Sequence, residues 1–93
     1  MAQCILHWDE NFTGNALVLN GSISNLSDRS GDLPGKDWND ETSSITINSG
    51  RWKFFEHVNF QGASMELGVG QYPNMHGFPV GDNQLSSVQL LSE

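Results

Sequence analysis

The chain has 93 residues, enough for one domain and too few for two independent cores. Hydrophobic residues make up 37% and charged residues 16%, too apolar for a disordered acidic tail, and no apolar run approaches the ~20 residues that span a bilayer. The formal net charge of −7 repels phosphate backbones and attracts cations, so nucleic-acid partners are not expected.

The start, Met1-Ala2-Gln3-Cys4-Ile5-Leu6, lacks a basic segment followed by a long apolar one. A cytoplasmic location is expected unless a leader lies outside this sequence. Cys4 is the single cysteine, so no internal disulfide is available and Cys4 reads as a small core residue. Cys4–Trp8 is apolar and aromatic and predicts a first strand. Asp9-Glu10-Asn11 is a turn, and Gly14 lets the chain fold tightly after Phe12. Ala16–Leu19 predicts a second strand. Residues 20–38 are rich in Gly, Ser, Asn and Asp with Pro34, which predicts a long loop with a short helical turn near Ile23–Asp28. Ser44–Asn48 alternates with period two, as a half-buried strand does, and Ser49-Gly50 turns the chain.

Arg51–Glu56 opens a second series with a strand mixing charged and aromatic residues. Ala63–Leu67 predicts another strand, Gly68–Pro73 reads as turn, and Ser86–Leu91 predicts the closing strand. No window holds a helical period. Many short strands between Gly-bearing turns imply an all-β sandwich.

The two halves repeat. His7-Trp8-Asp9-Glu10-Asn11-Phe12-Thr13-Gly14 aligns with Phe55-Glu56-His57-Val58-Asn59-Phe60-Gln61-Gly62 at an offset of 48. Asn39-Asp40-Glu41-Thr42-Ser43-Ser44 aligns with Asp82-Asn83-Gln84-Leu85-Ser86-Ser87 at an offset of 43. Each hexapeptide carries two Asx positions, two free positions and two serines. Carboxylate, amide, hydroxyl and carbonyl oxygens in so short a reach suit a hard cation such as calcium, which takes six to eight oxygens at roughly 2.3–2.6 Å. The same residue types also cap ordinary turns. Two copies within a wider repeat favour the metal reading over the turn reading.

These paired motifs resemble the βγ-crystallin family over about 90 of the residues. Phe55, Phe60, Gly62 and Asp82–Ser87 match its pattern in full. His7, Phe12, Gly14 and Asn39–Ser44 match except that His7 replaces an aromatic. The segments Ser49–Glu56 and Gly70–Pro73 also look like the second repeat of single-domain, non-lens members. The resemblance implies two Greek keys, about 2–49 and 50–93 of a single 1–93 domain, packed as a βγ-crystallin-type β-sandwich. It also implies two Ca2+ ions in a double clamp that stabilises the fold, each ion bound by pieces of both hexapeptides. The ligands it implies are the hydroxyls of Ser43 and Ser86, the main-chain carbonyls of Glu41 and Gln84, the hairpin carbonyls of Trp8 and Glu56, and the side chains of Asp40 and Asn83. Asn39 and Asp82 either ligate or brace the loops. Because Asp40 faces Asn83 in the alignment, the two sites are expected to differ in affinity.

Trp8, Phe12, Trp52, Phe54, Phe55, Phe60, Tyr72 and Phe78 read as packing residues. Trp38 is either exposed or packed under the first calcium loop, where its fluorescence would report binding. His7, His57 and His76 fit no close zinc-ligand spacing. No serine has the context of a hydrolase nucleophile, and Gly68-Val69-Gly70 is a turn without the basic residue of a phosphate loop. No catalytic role is expected. The rival to a calcium-binding module is a structural or interaction domain with a protein or glycan partner, in which calcium is incidental. A monomer or a weak homodimer is expected.

Overall fold

The computed structural model describes residues 2–26, 38, 42–80 and 84–93. Among the described residues seven strands lie in chain order: β1 Gln3–His7, β2 Ala16–Leu19, β3 Ser44–Ser49, β4 Arg51–His57, β5 Gln61–Leu67, β6 Gly70–Tyr72 and β7 Ser87–Ser92. They form two antiparallel sheets. The first has the order β2-β1-β3-β6, the second β5-β4-β7.

The strand alternation read from the sequence sets which side chains meet. Cys4 and Leu6 of β1, Leu19 of β2 and Ile45 and Ile47 of β3 are buried from the first sheet. Trp52 and Phe54 of β4, Met65 and Leu67 of β5 and Val88 of β7 are buried from the second. All belong to one core, which Ile23, Leu26, Trp38, Met75, Val80 and Leu85 complete from outside the strands. Each fully buried Leu, Ile or Phe contributes about 1.5–3 kcal/mol of transfer free energy. The Cys4 thiol lies within this core, and burial pushes its pKa up to about 12. It is a neutral packing group, as its position in the first strand suggests.

Each sheet borrows from the other half of the chain. β6 belongs to the second repeat, yet it pairs with β3 of the first, with Ile45 opposite Tyr72 and Ile47 opposite Gly70. Ile23 belongs to the first repeat, yet it bridges to Val88 in β7, and the two residues exchange both main-chain hydrogen bonds at 2.8 and 2.9 Å. Neither sheet is therefore complete without the other repeat.

β6 corrects the sequence expectation of turn for Gly68–Pro73. Gly70 and Gln71 have weak intrinsic strand preference, but the exposed hydrogen-bonding edge of β3 supplies partners that local propensity does not register. The expected helical turn near Ile23–Asp28 overlaps that Ile23 bridge, and its last two residues lie outside the described chain. β5 begins two residues before the expected Ala63, at Gln61.

Candidate functional site

The two Asn-Phe-x-Gly segments fold into matching corners. In the first, Asn11 and Phe12 take left-handed backbone angles, φ 59° and 64°; in the second, Asn59 and Phe60 take φ 60° and 59°. Asn tolerates this region, whereas Phe rarely enters it. The corner is held by contacts that offset the strain. Phe12 turns back to meet the His7 ring edge-on, with centroids 5.5 Å apart, and Phe60 meets Phe55 in the same way at 5.6 Å. His7 thus occupies the place of the missing aromatic and makes its contact.

Gly14 and Gly62 close the corners at φ 79° and 82°. A β-carbon on Gly14 would stand 2.4 Å from Asp9 Oδ2, and one on Gly62 would stand 2.4 Å from His57 Cδ2. No other residue fits without displacing a neighbour.

The last serine of each hexapeptide ties the following strand to its corner. Ser44 Oγ donates to the Asp9 carbonyl at 2.6 Å and accepts from the Phe12 N–H at 3.0 Å. Ser87 Oγ donates to the His57 carbonyl at 2.6 Å and accepts from the Phe60 N–H at 3.1 Å. Both serines are fully buried. The sequence reading assigned them no role of their own. The available signal was that each stands at one fixed distance from the other members of its hexapeptide and needs a hydroxyl where the turn leaves a carbonyl and an N–H unpaired.

The preceding serines also occupy matched places. The Ser43 N–H donates to the His7 carbonyl at 2.8 Å, and the Ser86 N–H donates to the Phe55 carbonyl at 3.0 Å. Both residues are nearly buried and both have hydrogen-bonded or other partners. The next carbonyls along the corners are those of Trp8 and Glu56. Trp8 lies just past the β1 ladder, and its carbonyl accepts none of the turn and loop hydrogen bonds among the described residues. Glu56 falls at the register break of β4 and has no partner in either of that strand's ladders. Its carboxylate meets His57 Nε2 at 3.2 Å.

Of the eight residues expected as ligands, the structure therefore gathers Trp8 with Ser43 at one corner and Glu56 with Ser86 at the other. Gln84 is exposed two residues ahead of Ser86. Asp40, Glu41 and Asn83 lie outside the described residues, as do Asn39 and Asp82. Among the described residues no three His, Cys, Asp or Glu side chains form a metal cluster. The described part of the donor set is instead carbonyl and hydroxyl oxygen, which suits a hard cation and not zinc.

Trp38 is 2% exposed and packs on Trp8 with ring centroids 5.7 Å apart. This decides the sequence alternative in favour of packing. Two polar atoms in the same region are buried without a hydrogen bond, Trp8 Nε1 and Thr42 Oγ1. Burial also lowers the His7 pKa from its ordinary value, and His7 Nε2 lies 3.2 Å from Thr46 Oγ1.

The Beta/Gamma crystallin family model matches residues 3–91. The chain belongs to the βγ-crystallin family. A Beta/gamma-crystallin of Ciona intestinalis is 38% identical over 89 residues, which cover 96% of this chain and 98% of the relative. The solved structure of a Ciona βγ-crystallin superposes with a TM-score of 0.80, covering 95% of this chain and 98% of that one. An archaeal βγ-crystallin, 29% identical, also gives 0.80 over 97% and 98%. Human Beta-crystallin B1 is 38% identical over 64 residues, 69% of this chain but 22% of its own length. The paired corners and exchanged strands are thus those of one βγ-crystallin domain.

Proposed function

We propose that this βγ-crystallin domain binds two calcium ions in a double clamp, each ion held by pieces of both hexapeptides, and that binding stabilises the fold. The observation that supports this reading most is the matched placement of Ser43 and Ser86 against the His7 and Phe55 carbonyls, beside the carbonyls of Trp8 and Glu56. In this reading Trp8, Glu41, Glu56 and Gln84 contribute main-chain carbonyls. Ser43 and Ser86 contribute hydroxyls, and Asp40 and Asn83 contribute side-chain oxygens. Because the repeats exchange strands, ligands shared between them hold the two sheets in register. At a hundredfold excess over the dissociation constant each site contributes about 2.7 kcal/mol. For a domain of this size that is a rise in Tm of roughly 10–20 °C per site.

Calcium titration calorimetry with parallel melts in calcium and in chelator tests the reading. Two binding events and a large rise in Tm are expected. Ser43→Arg and Ser86→Arg should each remove one event, since the guanidinium fills the hydroxyl position and repels the ion. An unchanged melt on chelation sinks the reading.

A second reading is a structural or interaction domain without a functional metal. Its supporting observation is that Ser44 and Ser87 already brace both corners through protein hydrogen bonds. Unchanged melting in chelator would favour it.

A further inference from the structure

We propose that Asn20 is a site of spontaneous deamidation and that its conversion to a carboxylate undoes a clasp holding the start of β1. Asn20-Gly21 is the only Asn-Gly step in the sequence. Asn20 is exposed and directly follows β2. The Gly21 N–H takes part in none of the turn and loop hydrogen bonds among the described residues. A β-carbon built on Gly21 would meet nothing within 4 Å. The nucleophile is therefore unengaged and unhindered. By contrast, Asn48 lies within β3 and is followed by Ser49 in place of a glycine.

The reaction needs only water and base. The deprotonated Gly21 nitrogen attacks Asn20 Cγ and forms a C–N bond. The Cγ–Nδ2 bond breaks, and Nδ2 leaves as ammonia after taking a proton from water. Water then opens the cyclic imide. Opening at Cγ gives aspartate; opening at the α-carbonyl gives isoaspartate, with the main chain rerouted through Cγ. The net change is water gained and ammonia lost.

The consequence follows from what the amide does. Asn20 Nδ2 donates to the Ala2 carbonyl at 3.2 Å, and the Ala2 N–H donates to Glu93 Oε1 at 3.1 Å. Ala2 is fully buried. A carboxylate at residue 20 has no proton to donate at neutral pH, so two acceptors then face each other. The loss falls at the end of the edge pair where Cys4 lies opposite Leu19.

The full chain is incubated in mildly alkaline buffer at body temperature, quenched in acid and digested. Tandem mass spectrometry then follows every asparagine-containing peptide, with Asn20 in the peptide 1–29. Of the nine asparagines, Asn20 should convert first. Gly21→Val should slow it by roughly tenfold or more, since the side chain hinders ring closure but occupies open space in the fold. Separately, Asn20→Asp should raise labelling of Cys4 by a thiol reagent severalfold over the parent chain. Conversion of another asparagine ahead of Asn20, or an equal rate in Gly21→Val, overturns the site. Unaltered Cys4 labelling in Asn20→Asp overturns the clasp.

Discussion

The two corners share a backbone and differ in chemistry. Their left-handed pairs agree within 5° in φ, and the serine braces agree within 0.1 Å. Yet the second corner presents Phe55 and Leu85 where the first presents His7 and Thr42. His7 is a titratable ring, and Thr42 has a buried hydroxyl without a partner. The outer sheet faces differ in the same way. Ile5 lies between Val18 and Thr46 in the first sheet, while Lys53 lies between Glu66 and Gln89 in the second. Backbone geometry is common to both repeats because hydrogen-bond pairing and φ requirements fix it. Side chains diverge wherever only volume or surface is required, and the first repeat has accumulated the less comfortable choices.

The sharpest way to break the likeness is to remove the braces. Ser44→Ala and Ser87→Ala each leave a corner carbonyl and an N–H without their partner. Each should lower stability by about 2–4 kcal/mol, since two buried groups lose their hydrogen bonds. Urea unfolding measures this. Equal losses at the two sites are expected, and a loss at one alone would show that the corners are not energetically equivalent.

Exchanging the residues at the fourth hexapeptide position sharpens the contrast. Leu85→Thr puts a hydroxyl into the core and removes apolar volume, and should destabilise by about 2–3 kcal/mol. Thr42→Val is close to isosteric and removes the orphaned hydroxyl. It should stabilise by about 1 kcal/mol. Both are read from thermal or urea melts in chelator, so that metal linkage does not contribute. A loss of stability in Thr42→Val would mean that the hydroxyl has a partner in solution, such as a buried water.

Much of this architecture was legible because it follows from short-range rules. Alternation in Ser44–Asn48 and Arg51–Glu56, and short apolar runs between Gly-bearing turns elsewhere, located β1, β2, β3, β4, β5 and β7. The offsets of 48 and 43 located the corners and the serine pairs. What was not legible depends on pairing between distant segments. β6 is built from residues with little strand preference and forms because β3 offers an edge. The bridge from Ile23 to Val88 has the same origin. At the candidate site the sequence marked the paired hexapeptides, but the separate work of Ser44 and Ser87 was not readable. Adjacent serines look alike in sequence, and only the fold shows that Ser43 and Ser86 present their N–H to one carbonyl while their neighbours bridge the turn.

The smallest expected effect is a pH dependence that one corner has and the other lacks. Burial lowers the His7 pKa, so the folded chain favours the neutral ring. The unfolded chain binds the proton near the ordinary value of about 6.5. Above that pH the ring is neutral in both states, and its contribution is fully present. As pH falls below it, the unfolded state gains protons first and stability is lost until the folded-state pKa is passed. Phe55 cannot titrate. His7→Phe should therefore flatten the decline in stability between neutral and mildly acid pH while preserving the edge-on contact with Phe12. Urea melts across this range in chelator measure the difference. A variant with the parent's slope would show that protonated His7 is accommodated, with Thr46 Oγ1 accepting from Nε2, and the two corners would then be equivalent in acid as well as in shape.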